Sequence, residues 1–201
     1  MSLTVISLCL LAALLELDTT YAFQMLLSRP IIAGPIFGLA TGDVLAGLQV
    51  GIFAELLFTD ISPLGGIIPP SGVVAVAIPM ILHTLGVELY FAFFFGVIAA
   101  ILYSFLEALL RKTRFTWLVF LEEKIQRHPT DVKRIIAGAL LLSFSMTFIF
   151  VSLMSSFSAQ LLFWIVPHLT HKIHFAFRLA YAAVPWIGLA ALIQTFRMKA
   201  R

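Results

Sequence analysis

"GLATGDVLAGLQVGIFAELLF", residues 38–58, is apolar enough to lie in lipid, yet it carries Asp43 and Glu55. A lone carboxylate in the hydrocarbon core costs about 2.5 to 3.5 kcal/mol on insertion scales, so such acids usually face a bundle interior, a partner or a cavity. Glycine spacing sets the local geometry. Gly34, Gly38 and Gly42 recur at steps of four, and so do Gly47, Gly51 and Glu55. Each set forms one helical stripe, on which small residues let two backbones approach closely in lipid. The five-residue step from Gly42 to Gly47 breaks the register around Asp43. The pattern therefore predicts two half-length helices, 31–42 and 44–59, with Glu55 on the tightly packed face.

Upstream, residues 3–27 read as one helix whose second half turns polar at Glu16, Asp18, Thr19, Thr20 and Gln24. Ser28-Arg29-Pro30 interrupts it, and Pro30 suits the first turn of a new helix, where its missing N–H would be unpaired anyway. Downstream stands "TDISPLGGIIPPSG", residues 59–72, uncharged after Asp60. Gly65-Gly66 and Pro69-Pro70 are strong breakers, which makes this a re-entrant or interfacial segment. Irregular backbone at membrane depth is tolerated only when buried in protein or lining a wet cavity, so a cavity is expected here. Further spans are expected over 71–85, with Pro79 as a kink point, over 87–110, over about 135–156 with a partly inserted segment ending at Pro167, and over about 174–196.

The 201 residues are 61% hydrophobic and 11% charged, against about 45 to 50% and about 25% in ordinary soluble domains. That balance, at roughly 20 residues per crossing, gives about six or seven spans and leaves no room for a soluble catalytic domain. The expected fold is an all-α polytopic membrane helix bundle with broken or re-entrant helices, as a single domain over 1–201. A net charge of +3 could suggest nucleic acid as a partner, but the cations are localised. Arg111, Lys112, Arg114, Lys124, Arg127, Lys133 and Arg134 crowd the connection at about 111–134, and Arg197, Lys199 and Arg201 close the chain. These are topology signals that place both segments in the cytoplasm. Within that connection "TWLVFLEEKIQRH" reads as an amphipathic helix lying on the membrane surface. Cys9 is the only cysteine, so an internal disulfide and a cysteine-rich metal site are excluded. The amino-terminal apolar run lacks the positive region of a secretory signal and reads as an uncleaved first helix.

Asp43 and Glu55 are the leading candidates for binding a polar solute, because ionisable groups inside a bilayer tend to mark pathways. Asp18 and Asp60 fit an interface as well as a site. His168, His171 and His174 stand three apart; with no acid nearby in sequence they read as interfacial groups rather than zinc ligands. His83 reads as a hydrogen-bonded interhelical residue. No metal and no cofactor is expected. The phosphate-cradling GxxxxGK[ST], the G-x-S-x-G elbow and HExxH are absent, so ATP-driven transport and familiar hydrolase chemistry find no support.

"LSRPIIAGPIFGLATGDVLAGLQVGIFAELLFTDISPLGGIIPP", residues 27–70, resembles the amino-terminal signature of the IIC membrane subunit of the mannose/fructose/sorbose-type sugar phosphotransferase system. The shared frame is an Arg-Pro after the first helix, a Gly-x-x-x-Gly-Asp, a further pair of glycines, a Glu-Leu-Leu and a Gly-rich loop ending in Pro-Pro. "VPWIGLAALI", residues 184–193, is similar to the family's late Leu-Pro-x-x-Gly-x-Ala segment. Two positions depart: Phe58-Thr59-Asp60 stands where the family has Trp-Leu-Gly, and Ser71 where an Asp commonly follows Pro-Pro. The resemblance implies a sugar-translocating permease subunit of the bacterial inner membrane. It would work with a IID membrane subunit and the soluble phosphocarriers IIA and IIB, with the phosphohistidine on IIB rather than on this chain. An oligomer in the lipid bilayer is expected, and the basic connection is the expected surface for IIB.

A hexose-type sugar displays many hydroxyls, so its site needs convergent polar groups on a mostly apolar wall. Asp43, Glu55 and Asp60 can accept from hydroxyls, and Asp18 is a further candidate. Gln24 and Ser71 can bridge, and Phe58 can stack on a sugar face. Free ends of broken helices supply further unpaired backbone groups. Two other readings stand beside this one: a shortened assembly paralogue that keeps the glycines but does not transport, and a proton-coupled secondary transporter.

Overall fold

The computed structural model of the chain describes residues 2–19, 24–59, 68–127 and 132–199, with the backbone alone for 115–127, 132 and 195–199. These residues form seven α-helices: α1 (Leu3–Leu17), α2 (Pro30–Thr41), α3 (Val44–Phe58), α4 (Gly72–Thr84), α5 (Leu89–Arg127), α6 (Val132–Ile165) and α7 (His171–Lys199). No strand occurs among them, so the chain is an all-α bundle. Within α5, α6 and α7, the stretches Leu89–Arg114, Lys133–His168 and His171–Gln194 are long and apolar enough to cross a membrane. The first four helices have 15, 12, 15 and 13 residues, rising about 18 to 22 Å against a hydrocarbon core of about 30 Å. The six or seven full spans expected from composition are therefore replaced, among the described residues, by three long helices and four half-length ones. Breakers in the front third account for the difference.

The break between α2 and α3 falls where the glycine register predicts. Gly42 turns the chain at φ +82, a left-handed conformation that glycine adopts without a Cβ penalty. The Asp43 carboxylate then accepts the Ala46 N–H over 2.9 Å and caps α3. α2 and α3 fold back as an antiparallel hairpin in which backbone meets backbone: a Cβ on Gly47 would run into the Gly34 carbonyl oxygen and lie 2.6 Å from the Gly38 Cα.

α1 ends ten residues before the boundary expected from polarity. The reason is Asp18, only 3% exposed, whose two oxygens accept the Met25 N–H at 2.8 Å and the Ser28 N–H at 3.2 Å. A buried carboxylate that takes two backbone donors anchors a strap rather than extending a helix. Gln24 and Leu26 sit at φ +50 and +64 in that strap, a region costly for residues with side chains.

Farther on, the expected boundaries at 110 and 156 do not appear. α5 is one helix of 39 residues and α6 one of 34. No Gly or Pro lies between Gly96 and Arg127, or between Ala139 and Ile165, so nothing interrupts either ladder. At Pro167, which has no N–H to continue the ladder, α6 gives way to a single 3-10 turn, Val166–His168. The surface helix expected from "TWLVFLEEKIQRH" is thus the continuation of α5 through Arg127.

α4 lies at the centre. Every residue from Val73 to Leu82 is buried, as suits a helix that is apolar all round. α2 and α5 cover it most closely, α3, α1 and α6 complete the wall, and Pro79 packs on Gly96 of α5. α1 lies along α6, and α3 along α7, where Gly188 rests on Leu56.

Candidate functional site

Because α1 and α3 end, and α2 and α4 begin, at the same level, their termini leave a space against α5 and α6. It is a cavity of about 400 Å³, within the range of about 300 to 1,000 Å³ typical of small-molecule sites. Glu16, Arg29, Glu55, Phe58, Pro69, Pro70 and Ser71 line it from the broken front half, and Tyr103, Glu107, Arg111, Ser143 and Thr147 from the long helices.

Each polar wall is internally organised. Arg29 Nη1 donates to Glu55 Oε1 over 3.0 Å, and the Ile31 N–H reaches Glu55 Oε2 at 3.4 Å. Glu55 thus closes the hairpin and meets the open amino terminus of α2, where the helix dipole favours an anion. Arg29 is 58% and Glu55 21% exposed, so water screens the pair and it contributes about 0 to 1 kcal/mol of stability. Across the cavity Thr147 Oγ1 donates to the Ser143 carbonyl at 3.0 Å. Its proton being used, it accepts from Tyr103 Oη at 2.8 Å. Glu107, 8% exposed, receives Arg111 Nε at 3.2 Å and Arg114 Nη1 at 3.4 Å. Glu16 Oε2 accepts the Ser71 hydroxyl at 2.7 Å. A mostly apolar pocket with several fixed donors and acceptors is able to hold and orient a polyhydroxy solute.

The residues singled out from the sequence fall in different places. Glu55, Phe58 and Ser71 line the cavity. Asp18 lies beside it, spending its oxygens on the strap that carries Arg29. Gln24 is exposed and is not among the lining residues. Asp60 lies outside the described residues. Asp43 sits at the other end of the hairpin, 12 residues from Glu55 along α3, which is about 18 Å of helix rise. There its Oδ2 meets His83 Nε2 at 3.1 Å, so the structure does not bring the two acids of the opening stretch into one chamber. Asp43→Ala should accordingly cost about 1 kcal/mol of stability through loss of the α3 cap. The cavity contacts stay intact in that variant, and calorimetry of its unfolding checks the cost.

Sequence reasoning underweighted Glu16 and passed over Tyr103, Glu107 and Thr147. A signal existed for Glu107, an acid among apolar residues with Arg111 four positions on. None existed for Tyr103 and Thr147, whose pairing is set by how α5 lies on α6. At the far end His174 Nδ1 pairs with Tyr90 Oη at 3.1 Å, and His168 Nδ1 donates to the Trp164 carbonyl at 2.8 Å. No group of three or more His, Cys, Asp or Glu among the described residues is arranged to hold a metal ion.

Residues 2–200 match the family described as "PTS system sorbose-specific iic component". The chain belongs to that family. Its apolar helices and its membership make it a membrane protein. A shorter stretch is similar to "Putative N-acetylgalactosamine permease IIC component 2" of Escherichia coli (strain K12), with 37% identity over 46 residues. That match covers 23% of this chain and 35% of the relative. The resemblance read from residues 27–70 therefore extends, at family level, over nearly the whole IIC chain.

Proposed function

We propose that this IIC chain is the sugar-translocating subunit of a mannose-type phosphotransferase system. The cavity at the junction of the broken helices holds a hexose-type sugar and presents one hydroxyl to a phosphohistidine on a IIB partner. The observation that carries this reading is the roughly 400 Å³ space in which Glu55, Phe58 and Ser71 stand together. Glu55 orients the hydroxyl from the α3 end, Phe58 offers an apolar face to the ring, and Tyr103, whose proton goes to Thr147, offers its oxygen as an acceptor. Phosphoryl transfer needs positioning and charge stabilisation more than covalent help, so a subunit that holds the acceptor hydroxyl supplies much of what the reaction requires.

A IID membrane subunit completes the permease, IIA and IIB feed it phosphate, and the assembly is an oligomer of the bacterial cell membrane. The cations from Arg111 onward support a cytoplasmic side for that end of α5 and α6 and for the carboxy terminus. The cavity then opens nearer the cytoplasmic side, where Arg111 lines it and IIB can reach it. The test is reconstitution of the chain with IID in vesicles. Sugar should cross and appear phosphorylated only when phosphorylated IIB is present on the cytoplasmic face, at least about tenfold above a IIB with its phosphohistidine replaced. Equal uptake in both cases, or uptake driven by a proton gradient alone, would remove the reading.

A further inference from the structure

Among the described residues, three acidic side chains line the cavity: Glu16, Glu55 and Glu107. Two of them are committed to guanidinium groups, Glu55 to Arg29 and Glu107 to Arg111 and Arg114. Glu16 is held by a neutral group instead, the Ser71 hydroxyl at 2.7 Å. Ser71 is the N-cap of α4, and its Oγ accepts the Val74 N–H at 3.2 Å. A hydroxyl has one proton, so this cap directs it at Glu16 Oε2. A carboxyl group keeps acceptor capacity beyond the one position that Ser71 uses. The remainder, Oε1 included, belongs to a side chain that lines the cavity.

We infer that Glu16 is a specificity-determining residue: fixed by Ser71, it accepts a hydrogen bond from one particular hydroxyl of the sugar in the cavity. The inference rests on the cavity being the sugar site. A site built to pair with a substrate hydroxyl rejects analogues lacking that donor, because its own polar group is then left unpaired. The arrangement also joins the last turn of α1 to the first turn of α4, so the reading group is braced from two helices, as selective sites require.

The geometry makes the substitution Glu16→Gln informative. Ser71 demands an acceptor, so the new amide gives its carbonyl oxygen to Ser71 and turns an NH2 donor toward the cavity. Polarity at one subsite is inverted while shape is kept. The probes are glucose, galactose and mannose, followed by the singly deoxyfluorinated analogues of the one bound best, titrated onto the purified full chain. Fluorine can accept but cannot donate. In the wild type, fluorine at one ring position should weaken binding at least about tenfold. In Glu16→Gln that penalty should fall below about threefold, with penalties at the other positions unchanged. Ser71→Ala, which unfixes the carboxylate, should blunt the same position and decides the matter if Glu16→Gln does not fold. An identical penalty profile in wild type and variants overturns the role of Glu16 and leaves the sugar site standing. Absence of hexose binding by the wild type overturns the sugar site and this inference together.

Discussion

Gly47→Val should leave almost no folded protein in the membrane. The new Cβ would meet the Gly34 carbonyl and lie 2.6 and 2.8 Å from the Gly38 Cα and N, all backbone atoms that cannot swing aside as a side chain end can. Overpacking a tight contact commonly costs about 1 to 3 kcal/mol and more where nothing yields, which is a large part of the 5 to 15 kcal/mol that holds a typical domain together. Even Gly47→Ala should be damaging, because the first methyl makes the clash. Gly138→Ala is the matched control: a Cβ there meets nothing within 4 Å, and alanine favours helix over glycine by about 1 kcal/mol. Comparing monodisperse yield by size-exclusion chromatography tests the pair. Comparable yields for Gly47→Val and the wild type would mean that the hairpin is not packed as described.

Glu55→Ala should lower sugar uptake by about tenfold or more while sparing yield. The side chain receives Arg29 and reaches the Ile31 N–H, so its loss leaves the Arg29 fork without its anchor and opens the α2 terminus to water at the edge of the cavity. Stability should change by about 1 kcal/mol or less because the pair is exposed to solvent on the Arg29 side. Function should change more, because a displaced orienting group costs of order 10²-fold in well-aligned chemistry. Glu55→Gln should fall between, keeping one acceptor oxygen, turning the other into an amide donor and losing the charge. Exchanging the two residues as Arg29→Glu with Glu55→Arg restores opposite charges across the gap. It removes the side-chain acceptor of the Ile31 N–H and should not restore uptake. Full recovery in the exchanged chain would reduce Glu55 to a tether.

Local signals carried the front half of the fold. The step from Gly42 to Gly47 located the turn between α2 and α3 within one residue, because a helical stripe and its interruption are properties of spacing alone. Pro30 marked a helix start for an equally local reason. The end of α1 was not legible, since it depends on Asp18 reaching residues seven and ten positions ahead, and nothing in composition says where a carboxylate will spend its oxygens. The long helices failed differently: polarity at Arg111 looks like a boundary, but a helix leaving lipid for water need not stop. Glu55 and Ser71, which line the cavity, drew notice because they sit beside glycines and prolines that announce broken helices. Asp43 looked equivalent on the same grounds. Its actual neighbour, His83, is 40 positions away in sequence, and only the packing of α4 along the hairpin puts them together.

The glycine contact between α2 and α3 also bears on movement. Interlocking side chains can slide past one another by changing rotamers, one notch at a time. Here the two segments are also tied at both ends, by the Gly42 turn and by the Arg29–Glu55 pair, so shear would have to break one of these ties and the segments tend to move as a single plank. A push delivered at the His83 edge would then arrive undiminished at the Arg29 edge, and any rocking of the plank would open one margin as it shuts the other.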